Sequence, residues 1–177
     1  YRLGRLRDMP NVELYPASAL GADDVMDFGA EHIIVATGAR WLAMGYSPDE
    51  YPAGSLEGPR VHTPDHIAAG ADIEGPVAVF DFDGYYMGSA ISERLALEGK
   101  SVTHVTPAGF VSAWTINTNE LPLIHRSLGE KGVRVETLQV ATGFDGECLT
   151  LRHLFTGKTE RLACRSLVVV GHRAPVT

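Results

Sequence analysis

The residues best placed for chemistry lie in one turn, DFDGYYMG at 81–88, where an apolar run (VAVFDF, 77–82) feeds a helical pattern. A strand that passes through a tight turn into a helix is where the pyrophosphate of a dinucleotide binds. Three glycines serve that purpose: one bends the chain, one lets backbone approach the phosphates, and one lets helix and strand pack closely. With Gly88 as the third, the first two positions hold Asp83 and Tyr85. Asp83 sets a carboxylate against phosphate oxygens, and the Tyr85 ring fills the room they need. The next strand, 101–105, ends at Thr106-Pro107 and not at an acid or base able to grip a ribose. The sequence thus predicts a dinucleotide fold with a closed pocket. Tyr85 and Tyr86 plug the vacated space, while Gly84 and Gly88 serve a tight turn and a close helix–strand contact.

Other candidates are weaker. Asp81 and Asp83 share a face by strand alternation. They either form a carboxylate pair for a cation, or divide the work, Asp83 helping the turn and Asp81 taking a backbone or arginine partner. His62 and His66 have the i, i+4 spacing of zinc ligands on a helix. Thr63-Pro64 between them marks a helix start, which leaves His62 outside the helix with no third ligand nearby. They read as a cap and a surface histidine. His125 and His172 read as structural. Cys148 and Cys164 form no CxxC pair, so they encode no disulfide framework and no zinc or iron–sulfur site; they read as buried thiols of a reducing cytoplasm. No catalytic residue and no metal ligand is predicted.

These residues are carried by a chain of 177, enough for one domain or two small ones. Hydrophobic residues make up 45% and charged residues 21%, which excludes disorder as the dominant state. The net charge of −7 has the wrong sign for holding nucleic acid. The apolar runs IIVA and LVVV fall far short of the ~20 residues that span a bilayer. Strands are expected at 11–15, 32–36, 77–82, 101–105, 133–138, 139–144, 148–155, 159–163 and 167–170. Helices are expected at 22–28, from Thr63, at 87–98 with Met87, Ala90, Ile91 and Leu95 inward, and at 119–131. Residues 42–62 read as a connection. Strand, helix, strand from 77 to 105 is a parallel βαβ unit, and the short strands from 139 to 163 form an antiparallel meander. The expected fold is α/β: a doubly wound, Rossmann-like parallel sheet carrying that meander. Residues 61–177 form it, and 1–60 are the tail of a preceding α/β nucleotide domain. Strand 32–36 is expected to lack the neighbours that the rest of such a domain would supply.

The string HIIVATGARW (32–41), followed by VAVFDFDGYYMGSAISERLALEGKSVTHVT (77–106), resembles the C-terminal nucleotide-binding region of the trimethylamine, dimethylamine and histamine dehydrogenase family. The likeness runs from about residue 11 to 170. ATG at 36–38 is common among FAD- and NAD-linked reductases, whereas GARW joined to a glycine-poor D-G-Y-Y-M turn points more narrowly to amine dehydrogenases. The resemblance implies a parent oxidoreductase with an FMN barrel, a [4Fe–4S] cluster and two domains like those of glutathione reductase. It implies that Thr37, Gly38, Ala39 and Arg40 lie beside the ADP moiety of ADP or FAD; the alternative is that Thr37-Gly38 simply ends a strand. The remainder of the parent chain and an electron-transfer flavoprotein are the implied partners, in the cytoplasm. On this resemblance the segment itself is non-catalytic and carries no cofactor of its own. The competing readings are an NAD(P)H-dependent flavoprotein reductase and a non-catalytic nucleotide-binding or docking module.

Overall fold

The computed structural model describes residues 1–46 and 56–176. It divides into two compact units, Tyr1–Ala36 and Thr37–Thr177.

The first unit holds two short helices, α1 (Arg2–Arg7) and α2 (Ala22–Asp27). Asp24 accepts the Gly21 N–H at 2.8 Å and so closes the start of α2. The strands expected at 11–15 and 32–36 are not formed. Ile33, Ile34 and Val35 are exposed, Ile34 at 90%, and take no ladder partner among the described residues. A β-branched run becomes a strand only where another strand satisfies its N–H and C=O groups. The apolar residues before it surround a cleft of about 570 Å³ lined by Tyr15, Leu20, Val25, Phe28 and Ile33.

The second unit is built on five parallel strands that lie side by side in the order 61–62, 166–170, 77–81, 102–105 and 134–136. Strand β1 (Ala39–Trp41) precedes them, then come β2 (Val61–His62), α3 (Pro64–Ala68) and β3 (Val77–Asp81). Next are α4 (Tyr86–Leu97), β4 (Val102–Val105), a 3-10 helix (Ala113–Thr118), α5 (Leu121–Glu130) and β5 (Arg134–Glu136). Strands β6 (Gln139–Phe144), β7 (Cys148–His153) and β8 (Thr159–Ala163) form the expected antiparallel meander. Strand β9 (Ser166–Val170) returns to the sheet centre, and β10 (Arg173–Pro175) pairs antiparallel with β1. Part of the 42–62 connection is therefore ordered into the sheet as β2, and residues 47–55 of it lie outside the described residues.

Alternation explains how the central strands bury both faces. On β3 and β9, Val77, Val79, Val168 and Val170 join Ile91, Leu95 and Leu128 of α4 and α5 in one core. Ala78, Phe80, Leu167 and Val169 point the other way, into a second core with Leu149 and Leu151 of β7. The meander thus covers the face that a second helical layer covers in a fully doubly wound sheet. Where β9 and β4 leave β3 on opposite sides, the fold has the switch point beside which such sheets bind ligands.

The inward face of α4 differs from the expected one. Gly88, Ser89, Ile91, Ser92 and Leu95 are buried, whereas Met87 is exposed and Ala90 faces outward. Ile91 and Leu95 face inward as expected, and Gly88, Ser89 and Ser92 join them because of what lies beneath.

Candidate functional site

The residues below α4 are Asp81, at the end of β3, and His104, on β4; both side chains are fully buried. Odd positions on β3 and even positions on β4 face the helix, which is why a carboxylate and an imidazole meet there. Asp81 Oδ1 accepts the Gly84 N–H at 3.0 Å, and Oδ2 stands 3.5 Å from His104 Nε2. On its other side His104 Nδ1 is 2.9 Å from Ser92 Oγ. Asp81 Oδ2 and His104 Nε2 are both buried and neither makes a hydrogen bond among the described residues; they meet only through the longer 3.5 Å approach. Beside it, Ser112 donates to Ser89 at 2.9 Å, and Ser89 donates to the Tyr86 carbonyl.

This arrangement places the Asp81 side chain beneath the start of α4, at the contact between helix and strand. Gly88 is explained by it: a Cβ there would fall 2.7 Å from the Cβ of Asp81 and nearer still to the carboxyl group. Gly84 holds φ +67, the left-handed turn expected of it, and its carbonyl accepts the Trp114 N–H at 3.0 Å. The Trp114 ring lies across it, so that a Cβ at Gly84 would come 3.2 Å from Trp114 Cδ1.

Tyr85 and Tyr86, expected to plug the turn, lie at its surface. Tyr85 is 38% exposed and packs edge-on against Tyr86 at 4.3 Å; the two rings line the rim. The Tyr86 hydroxyl donates to Glu120, which pushes the phenol up to about 12. Thr118 and Tyr86 in turn hold the Glu120 carboxyl below its usual range. Asp83 does not pair with Asp81 for a cation: Arg173 Nη2 donates to Asp83 Oδ1 at 2.6 Å. Sequence reasoning missed His104, Ser92, Trp114 and Arg173. Only His104 left a signal, through its place two residues after the inward Val102.

Among the described residues no group of three or more His, Cys, Asp or Glu could hold a metal ion. His62 and His66 lie with ring centroids 6.1 Å apart, but His66 Nδ1 accepts the Thr63 N–H at 3.2 Å and completes the cap of α3. Burial, and then the neighbouring His66, holds His62 below the ordinary imidazole value. His125 Nε2 reaches the Val111 carbonyl at 3.0 Å, and the His172 ring packs on Phe82 at 4.9 Å.

Cys164 is buried and Cys148 partly so. Burial pushes the Cys164 thiol up to about 11, which keeps it protonated at neutral pH. Alkylation of the folded protein with iodoacetamide at pH 7.5 is expected to label Cys148 first, with Cys164 modified only on denaturation; peptide mass mapping reads the order.

The other candidate turn lies in the same unit. The Thr37 hydroxyl donates to the Val176 carbonyl, and Gly38 has φ +86, with open space where a Cβ would stand. Ala39 and Arg40 continue into β1, opposite Pro175 and Ala174, and both are exposed. Trp41 follows; its N–H donates to Asp65 at 2.8 Å, and Arg173 lies 4.4 Å over its ring.

Parallel sheet, switch point and strand–turn–helix together define an α/β, Rossmann-like fold, with a buried carboxylate and imidazole beneath its first long helix. No family model matches the chain. It is similar to the dimethylamine dehydrogenase of Hyphomicrobium sp. (strain x), 30% identical over 118 residues, which cover 64% of this chain and 16% of that protein. Among solved structures, it superposes on the 6-hydroxypseudooxynicotine amine oxidase of Pseudomonas geniculata N1 with a TM-score of 0.87 at 37% identity, covering 98% of this chain and 26% of the other. Against histamine dehydrogenase from Rhizobium sp. 4-9 the TM-score is 0.85 at 34% identity, over 97% of this chain and 27% of the other. Over the segments matched, the chain is similar to this dehydrogenase, this amine oxidase and this histamine dehydrogenase, and it spans about a quarter or less of their length.

Proposed function

We propose that the chain is a segment of a flavin- and iron–sulfur-dependent oxidoreductase of the amine dehydrogenase type, and that the segment itself is a non-catalytic scaffold beside an adenine nucleotide. Its likeness to a dimethylamine dehydrogenase, a histamine dehydrogenase and an amine oxidase supports the class. A [4Fe–4S] cluster asks for four thiolates, and this chain has two cysteines; on this reading the cluster and the FMN are held by the remainder of the parent chain. Residues 1–60 would complete a first nucleotide domain there, and 61–177 would form the second. Thr37, Gly38, Ala39 and Arg40 are the residues that would meet ADP, or the ADP half of FAD. Electrons would leave through the cluster to an electron-transfer flavoprotein, with this segment serving assembly. A cytoplasmic setting fits this reading, and no helix among the described residues is long and apolar enough to cross a membrane.

One observation supports the non-catalytic role: the 81–88 turn holds Asp83 and Tyr85 at two of the positions where a dinucleotide-binding turn needs glycine, so side chains stand where backbone would approach the diphosphate. Isothermal titration with NADH and with ADP tests it. NADH is expected to give no heat up to about 1 mM while ADP binds. Submillimolar NADH binding, lost on Gly84→Ala or Gly88→Ala, would move the chain to the NAD(P)H-dependent reductases.

A further inference from the structure

We propose that Asp83 and Arg173 form a clamp that positions the Thr37–Arg40 turn for an adenine nucleotide. The acid that spoils one nucleotide site would thereby hold the neighbouring one in shape. The assignment of that turn to an adenine nucleotide rests on the function proposed above; the clamp itself rests on geometry.

Strands β1 and β10 form a two-stranded ribbon of three residues each, apart from the central sheet. Such a ribbon is marginal by itself, because two short strands bury too little to offset the entropy of ordering them. Two backbone bonds extend it: Leu42 N–H to the His172 carbonyl at 2.9 Å, and Val176 N–H to the Gly38 carbonyl at 3.1 Å. What fastens it to the sheet is side-chain chemistry. The Arg173 guanidinium lies 4.4 Å over the Trp41 ring, joining the two strands of the ribbon, and donates to Asp83 at 2.6 Å. Asp83 is a firm anchor. Its N–H and that of Phe82 both point to the Val170 carbonyl at the end of β9, at 3.3 and 3.0 Å, and its side chain is only 15% exposed. From the far side, Asp65 of α3 accepts the Trp41 N–H.

A planar guanidinium suits this place because it can stack and pair at once, which an ammonium cannot. The bond is charge-assisted, and the partly buried carboxylate is screened less than a surface pair. The Thr37 hydroxyl and Gly38 carbonyl are fixed through Val176, so the register of β10 sets where the turn presents its backbone. Asp83 and Arg173 touch no nucleotide in this scheme; they are positioning residues.

The test uses the intact protein that carries this segment, with ADP as the probe. Asp83→Asn and Arg173→Gln are each expected to raise the ADP dissociation constant about tenfold and to speed amide hydrogen exchange at Leu42 and Val176. The double variant should be no worse than either single one, since both remove the same link. Arg173→Lys should fall between wild type and Arg173→Gln, keeping the charge and losing the stack. Thermal unfolding of each variant separates a loosened ribbon from a lost fold. Faster exchange at those two amides with an unchanged ADP constant overturns the positioning role and leaves a merely structural tie. Unchanged exchange overturns the clamp. A wild-type protein that binds no ADP overturns the assignment of the turn, and the exchange result then stands or falls for the clamp alone.

Discussion

His104→Leu is expected to destabilise the second unit by about 3–5 kcal/mol, the cost of removing one partner from a buried charged or charge-assisted pair. The leucine would fill the volume well enough. The loss comes from Asp81, which is fully buried and keeps only the Gly84 N–H once the imidazole is gone. Ser92 loses its partner at the same time, adding the smaller cost of an unmet hydroxyl, about 1–3 kcal/mol when fully unsatisfied. Asp81→Asn should cost much less, because an uncharged amide in the same shape can still accept from Gly84. Its NH2 can donate to His104 Nε2 when the imidazole proton sits on Nδ1 and is given to Ser92. The double variant Asp81→Asn/His104→Leu should therefore be more stable than His104→Leu alone. Urea unfolding followed by tryptophan fluorescence reads the order of the three variants. A loss below about 1 kcal/mol for His104→Leu would show that Asp81 carries no uncompensated charge there.

Gly88→Ala sets two effects against each other. In a helix interior alanine is favoured over glycine by about 1 kcal/mol, so propensity alone predicts a more stable α4. Against this stands the close approach of α4 to β3, where a new methyl group would overlap the Asp81 side chain. Asp81 has little room to swing aside, since Oδ1 accepts from Gly84 and the side chain is fully buried on the strand. Overpacking of this kind costs about 1–3 kcal/mol and occasionally more, and here it also displaces the hydrogen bonds. Net destabilisation of about 2–3 kcal/mol is expected, with α4 lifting from β3. Shortening the obstacle should undo part of it: Gly88→Ala/Asp81→Ser should lose less than the sum of the two single variants. A stabilised Gly88→Ala protein would mean that the helix rides higher over the strand than described.

How much of this could be read from residues alone depends on whether the information was local. The βαβ unit, the meander and its turns follow from periodicity and turn chemistry. Asp145 illustrates the point: its side chain accepts the Glu147 and Cys148 N–H groups at 2.9 and 2.7 Å, and these bonds hold its carboxyl below the usual range. Thr63 likewise caps α3 as its place before proline predicts. The runs at 11–15 and 32–36 show the opposite. They have the composition of strands, yet strand formation needs a partner, and composition says nothing of whether one is present. The inward face of α4 misled for a related reason. An apolar stripe predicts what meets an apolar core; Ile91 and Leu95 do so, whereas Gly88 and Ser92 meet a carboxylate and an imidazole.

By itself the sequence determined that the 77–177 region winds a parallel sheet with a meander, and that the 81–88 turn lacks the glycines a dinucleotide requires. Both are properties of neighbouring residues, set by backbone angles, side-chain bulk and alternation. Only the tertiary structure decided what fills the turn. Asp81 meets His104 and Ser92 across two strands and a helix, Trp114 arrives from a 3-10 helix thirty residues on, and Arg173 reaches Asp83 across ninety. Contacts made at such separations depend on how the elements are stacked, and a local pattern of residues carries no record of that.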